Sequence, residues 1–171
     1  SAGQEIWRTD GTVSGTRAVA NFSGLAGANG LTQPIRFTTI GNTVFFQLRL
    51  SSEDSARELW VSDGTPVGTQ RLRVFDLVRS AGAVVNGKYL FFANTGLWRS
   101  DGTAAGTVEV MGSTYSPSGQ LITVGNLAYF TMQESSVSEA LWQTDGTAVG
   151  TKRVMTLPVG PYFSSVFKFE Q

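Results

Sequence analysis

The sequence contains no cysteine and no histidine. Disulfides and thiol nucleophiles are therefore excluded. Zinc sites built from those ligands and Ser-His-Asp catalysis are excluded with them. A cysteine-free chain is compatible with any redox compartment, so the compartment stays open. A surplus of one charge is also missing, because 13 basic and 13 acidic residues cancel. That balance argues against nucleic acid as a partner, since such binders show a basic surplus or stripe. No apolar run approaches the roughly 20 residues that a membrane helix needs, so no membrane insertion is expected. There is no Walker loop, and no glycine-rich loop opens a helix. No signal peptide is visible, and the chain starts mid-pattern at Ser1.

What is present is repetition. The chain has 171 residues, 41% of them hydrophobic, which suits one globular domain with a sizeable core. Its four tryptophans mark four copies of one pattern: EIWRTDGTVSGTRAV (5–19), ELWVSDGTPVGTQRL (58–72), GLWRSDGTAAGTVEV (96–110) and ALWQTDGTAVGTKRV (140–154). Trp7, Trp60, Trp98 and Trp142 stand 53, 38 and 44 residues apart. A period near 40 to 45 residues signals a propeller or a solenoid.

Three copies are preceded by an apolar stretch, a tight turn and an aromatic stretch: FTTIGNTVFFQL, AVVNGKYLFFAN and LITVGNLAYFTM. Gly41-Asn42, Asn86-Gly87 and Gly125-Asn126 supply the positive φ of two-residue hairpins. Each full repeat thus predicts strand A, a turn, strand B, a variable loop, strand C with the tryptophan, the Asp-Gly-Thr turn, and strand D. In strand B, Val44, Phe46 and Leu48 share one face, with Phe45 and Gln47 on the other. Tyr89 and Phe91 likewise oppose Leu90 and Phe92, and Phe130 and Met132 oppose Leu127 and Tyr129. Both faces are largely apolar, so both should be covered, as in a blade held between neighbours.

The expected fold is all-β: a small β-propeller of four blades, each of four antiparallel strands, in a single domain spanning 1–171. The repeats run over about 163–171 plus 1–20, 35–75, 83–111 and 121–155. Phe163-Ser164-Ser165-Val166 resembles the strand A segment Phe37-Thr38-Thr39-Ile40, so pairing of the C-terminal and N-terminal segments is expected to close the ring. Phe169 to Gln171 would form part of strand B there. A piece of a longer array is the alternative.

The core ELWVSDGTPVGT and its siblings resemble the bacterial repeat known by its pattern, ELWxxDGTxxGT. The resemblance covers all four copies. The departures at Ile6, Gly96 and Ala140 leave the tryptophan and the Asp-Gly-Thr positions intact. It implies a propeller-like fold in a secreted or cell-surface bacterial protein.

The repeated residues have a structural explanation. Asp10, Asp63, Asp101 and Asp145 sit where a carboxylate accepts bonds from amides further along the turn. Gly11, Gly64, Gly102 and Gly146 supply the permissive backbone, and Thr12, Thr65, Thr103 and Thr147 add hydroxyl bonds. A calcium ion wants six to eight oxygens, and one aspartate per turn falls short, so no metal is expected. The tryptophans read as wedges between blades, with sugar stacking as the competing reading. No catalytic constellation emerges and no cofactor is implied. A glycosidase needs two facing carboxylates, and nothing singles out such a pair.

Function is therefore sought in the connections that differ between copies: Asn21 to Pro34, Asp76 to Gly82, Gly112 to Gln120 and Thr156 to Pro161 between strands D and A, with Ser51 to Arg57 and Gln133 to Glu139 between B and C. The candidate ligand-binding residues are Asn21, Asn29, Gln33, Glu53, Asp54, Arg57, Tyr115, Gln133 and Glu134. The leading expectation is a non-enzymatic, lectin-like recognition module that binds a glycan or a surface protein. The first alternative is a structural or assembly unit that self-associates through the incomplete blade. The second is a hydrolase of the propeller class.

Overall fold

The structure is a computed structural model. It describes residues 4–25, 32–49, 56–79, 82–94, 96–114, 116–118 and 120–157. Asn29, Glu53, Asp54, Tyr115 and the expected closing segment 163–171 lie outside the described residues.

The described residues contain no helix and form antiparallel sheets that follow one another along the chain. A hairpin comes first, β1 (Glu5–Arg8) with β2 (Arg17–Asn21). The second sheet has the order β3 (Gln33–Ile40), β4 (Thr43–Arg49), β5 (Arg57–Ser62), β6 (Gln70–Phe75). The third runs β7 (Ala83–Val85), β8 (Lys88–Ala93), β9 (Gly96–Ser100), β10 (Val108–Gly112). The fourth is built from β13 (Leu127–Ser135), β14 (Ser138–Thr144) and β15 (Lys152–Leu157). Its outer strand is split into β11 (Ser116–Pro117) and β12 (Ile122–Val124), both paired with β13.

Two-residue turns join the first two strands of each full sheet, because the residues there tolerate a left-handed backbone. Asn86 and Gly87 have φ of 50° and 69°, while Gly41 and Gly125 have 57° and 58°.

The outer strands start earlier than the sequence suggests. Gln33 and Pro34 already belong to β3, Val78 forms a bridge with Ala93, and Ser116–Pro117 pairs with Gln133 and Met132. Proline and glycine made these stretches look like loops, yet an edge strand accepts proline because its N–H side needs no partner. The irregularity persists as a bulge between Ile35 and Thr38, where Arg36 adopts φ 55°. Arg36 holds this strained conformation while donating to Gln47 Oε1 at 3.0 Å and to the Val78 carbonyl at 3.1 Å.

Strand B places apolar side chains on both faces, and each face has its own cluster. Phe46 and Leu48 join Phe22 and Ile6 of the hairpin segment. Phe45 joins Tyr89, Phe91 and Trp98 between the second and third sheets. Leu90 and Phe92 join Ala128, Phe130 and Met132 between the third and fourth. A continuous aromatic path runs from Phe75 to Phe91 and Trp98, with centroids 5.3 and 5.0 Å apart. Each fully buried aromatic contributes on the order of 1.5–3 kcal/mol by removal from water.

Candidate functional site

Each Asp-Gly-Thr segment folds on itself in the same way. The backbone N–H and the hydroxyl of Thr12 donate to Asp10 Oδ1 at 2.9 and 2.7 Å. The corresponding bonds in the third repeat, Thr103 to Asp101, measure 3.0 and 2.7 Å. The same pair of bonds recurs at Asp63 and at Asp145. The threonine hydroxyl oxygen then accepts from the second glycine of the motif, as in Gly106 N to Thr103 Oγ1 at 2.9 Å. The last threonine donates back to the first threonine's carbonyl, as in Thr107 Oγ1 to Thr103 O at 2.7 Å.

The glycines are fixed by geometry. Gly11, Gly64, Gly102 and Gly146 all have φ between 83° and 93°. Gly15, Gly68, Gly106 and Gly150 have another reason, since a Cβ there would stand 1.9–2.1 Å from the aspartate Oδ1. The threonine hydroxyl bonds, followed by the amide bonds, hold all four aspartates below the usual carboxylate range. Among the described residues, no group of three or more acidic side chains is placed to hold a metal ion.

The tryptophans share a position but not an environment. Trp98 is 8% exposed and Trp7 is 58% exposed. Trp7 Nε1 donates to Glu5 and Trp60 Nε1 to Glu58, both at 2.9 Å. The third repeat has Gly96 at that place, and Trp98 Nε1 is buried without a hydrogen bond. Its ring instead carries the Arg73 guanidinium 4.6 Å from the centroid. The Glu109 carboxylate occupies the space above Gly96. In the fourth repeat Ala140 replaces the glutamate, and Glu134 from the adjacent strand binds Arg153 at 2.8 and 3.0 Å. That ion pair is the main reason the Glu134 pKa is lowered.

Consecutive turns meet across the sheets. Arg8 donates to the Gly64 carbonyl at 3.3 Å, and Arg99 donates to the Gly146 carbonyl at 3.1 Å. Between the second and third turns lies a cleft of about 240 Å³. Asp63, Asp101, Gln70, Thr43 and Thr103 line it, together with Phe45 and Val61. Both Thr65 bonds end on Oδ1 of Asp63, so Oδ2 takes no part in the turn. Lys88 Nζ lies 3.8 Å from Asp101 Oδ2.

The described candidate residues sit at strand ends rather than in free loops. Asn21 ends β2, donating to Glu5 at 2.6 Å and accepting from Ser23. Gln33 accepts from Arg49 at 3.1 Å. Arg57 donates to the Ala56 carbonyl at 2.8 Å. Gln133 and Glu134 lie within β13, on a hairpin that extends past the expected loop. Gln133 and Glu134 are thus neighbours on one strand, while Asn21, Gln33 and Arg57 lie on β2, β3 and β5. The cleft was missed because its polar residues come from turns that the repeat explains structurally. The recurrence of Asp63 and Asp101 at successive turns was the available signal.

Compared with models of known families and with curated proteins, the chain matches none at a significant level.

Proposed function

We propose that the chain is a non-enzymatic recognition module of the ELWxxDGTxxGT kind, with sheets closing into a four-bladed propeller and a glycan as ligand. A secreted or cell-surface setting follows from that resemblance. The cleft between the second and third Asp-Gly-Thr turns carries this reading. Carboxylate oxygens, the Thr43 hydroxyl and the Gln70 amide offer donors and acceptors for sugar hydroxyls. Phe45 and Val61 offer the apolar wall that the face of a pyranose prefers. Successive turns repeat much of this chemistry, which favours several weak sites acting together.

The two aspartates of the cleft are poor candidates for hydrolysis. Both are held ionised by their threonine bonds, whereas a glycosidase needs one carboxyl kept protonated. The test is a glycan array probed with the intact protein and with a Thr43→Ala, Gln70→Ala variant. Binding that the variant loses, with an unchanged circular dichroism spectrum, is the expected result. A folded wild type that binds no glycan would overturn the lectin reading.

The second reading, an assembly unit without a small ligand, draws on β1, which among the described residues pairs with β2 alone. Light scattering addresses it, and a strictly monomeric protein would count against it.

A further inference from the structure

The junctions between successive Asp-Gly-Thr turns are not closed alike. The residue after each tryptophan decides this, being Arg8, Val61 and Arg99 in the first three repeats. Arg8 Nη1 donates to the Gly64 carbonyl of the next turn at 3.3 Å, and Arg99 Nη1 to the Gly146 carbonyl at 3.1 Å. After the threonine bonds, these two charges also help to hold Asp63 and Asp145 ionised. The junction of the third and fourth turns has a further closure. There Asn86 Nδ2 donates to the Asp145 carbonyl at 3.1 Å and to the Asn126 carbonyl at 3.4 Å.

The junction of the second and third turns has neither group. Val61 stands where Arg8 and Arg99 stand, and Gly41 where Asn86 stands. The positions match in space as well as in sequence. Val61 pairs with Phe45 as Arg99 pairs with Leu90. A Cβ on Gly102 would meet Phe45 and Val61 at 3.7 and 3.9 Å, and one on Gly146 would meet Leu90 at 3.5 Å. The valine thus faces the glycine but has no donor for its carbonyl. The cleft of about 240 Å³ opens at this junction. It occupies the place of a guanidinium that the neighbouring junctions supply from within the chain. Lys88 compensates only in part, as a loose surface pair with Nζ 3.8 Å from Asp101 Oδ2.

We propose, building on the glycan reading of this cleft, that its ligand is an amino sugar whose ammonium group takes the place of the missing guanidinium. An ammonium has three donors and no acceptor, and the Asp63 and Asp101 carboxylates and the Gly102 carbonyl are acceptors only. A hydroxyl gives such a set a single neutral proton, whereas an ammonium gives it charge-assisted bonds. Thr43, Gln70 and the Phe45 ring are left for the hydroxyls and the apolar face of the same sugar. An arginine side chain of a partner protein would satisfy the acceptors but leave Thr43 and Gln70 unused.

The test is isothermal titration of the intact protein with short glucosamine oligomers and with their N-acetylated counterparts, at a pH where the free amines are protonated. The free-amine form is expected to bind at least about tenfold tighter, the weight of one bond to a charged group. Equal or tighter binding of the acetylated form would overturn the inference and leave the glycan reading standing. A protein that binds no glycan at all would overturn both. Val61→Arg should close the cleft as Arg8 and Arg99 close theirs. Gly41→Asn should close it from the other side and leaves the Phe45 and Val61 wall intact. Asparagine tolerates the φ of 57° at Gly41, as Asn86 does at 50°. Each variant should weaken the free-amine oligomer about tenfold with an unchanged circular dichroism spectrum. Undiminished affinity in both folded variants would overturn the inference. So would binding of arginine amide at the cleft without binding of the amino sugar, which would assign the cleft to a protein partner.

Discussion

The hairpin and the third sheet carry the same motif in different surroundings. Their turns have almost identical hydrogen bonds, yet Trp7 is exposed and Trp98 is buried. The turn is therefore a local object, complete within about eight residues. The tryptophan is a tertiary object whose burial depends on what lies on either side. A motif that looks like one unit in the sequence divides physically into a self-sufficient half and a dependent half.

This division can be broken at several points. Replacing Trp98 by alanine removes an indole packed against Phe75 and beneath Arg73, and should cost about 3–5 kcal/mol in urea denaturation. Trp7→Ala should cost clearly less, because Trp7 is 58% exposed. The turns should behave in the opposite way. Gly106→Ala and Gly15→Ala each drive a Cβ into an aspartate oxygen, so each should lose about 1–3 kcal/mol through broken bonds. Equal costs at the two sites would support the local character of the turn. A negligible cost at Gly15 would show that the turn needs a neighbouring sheet.

Acidification gives a smaller, shared effect. The four turn aspartates have lowered folded-state pKa values, so their contribution is fully present above the unfolded value near pH 4. Stability is lost as the pH falls through the lowered folded-state values. Denaturant midpoints between pH 5 and 2 should fall in the wild type and fall less steeply in Asp101→Asn. The smallest effect belongs to Val13 and Val149, both 94% exposed on the turns. Threonine at either should change stability by no more than about 0.5 kcal/mol.

Much of the architecture was legible because it is written in short-range chemistry. The two-residue turns at Gly41, Asn86 and Gly125, the two-sided apolar strands and the aspartate turns all follow from neighbouring residues. The starts of the outer strands were not legible. Val78 and Ser116–Pro117 pair with residues 15 to 17 positions away across a broken ladder, and their composition favours loops. The candidate binding residues fared differently again. Asn21, Gln33 and Glu134 were chosen as unrepeated polar side chains, but each is already tied to a neighbour by hydrogen bonds. The sequence shows Asp63 and Asp101 recurring at successive turns, but that they line one cleft depends on how two sheets face each other.

The acidic companion of each tryptophan strand has one further consequence. Glu5 and Glu58 sit two residues before their indoles, Glu109 comes from the strand after, and Glu134 from the strand before. Four modules have thus reached related local arrangements by different residue choices. A chimera that joined the front half of the second repeat to the back half of the third would bring Glu58 and Glu109 together. The reverse graft would set Arg71 beside Gly96 with no carboxylate between them. The repeats are alike enough to be recognised as copies, but they are interchangeable only as whole sheets.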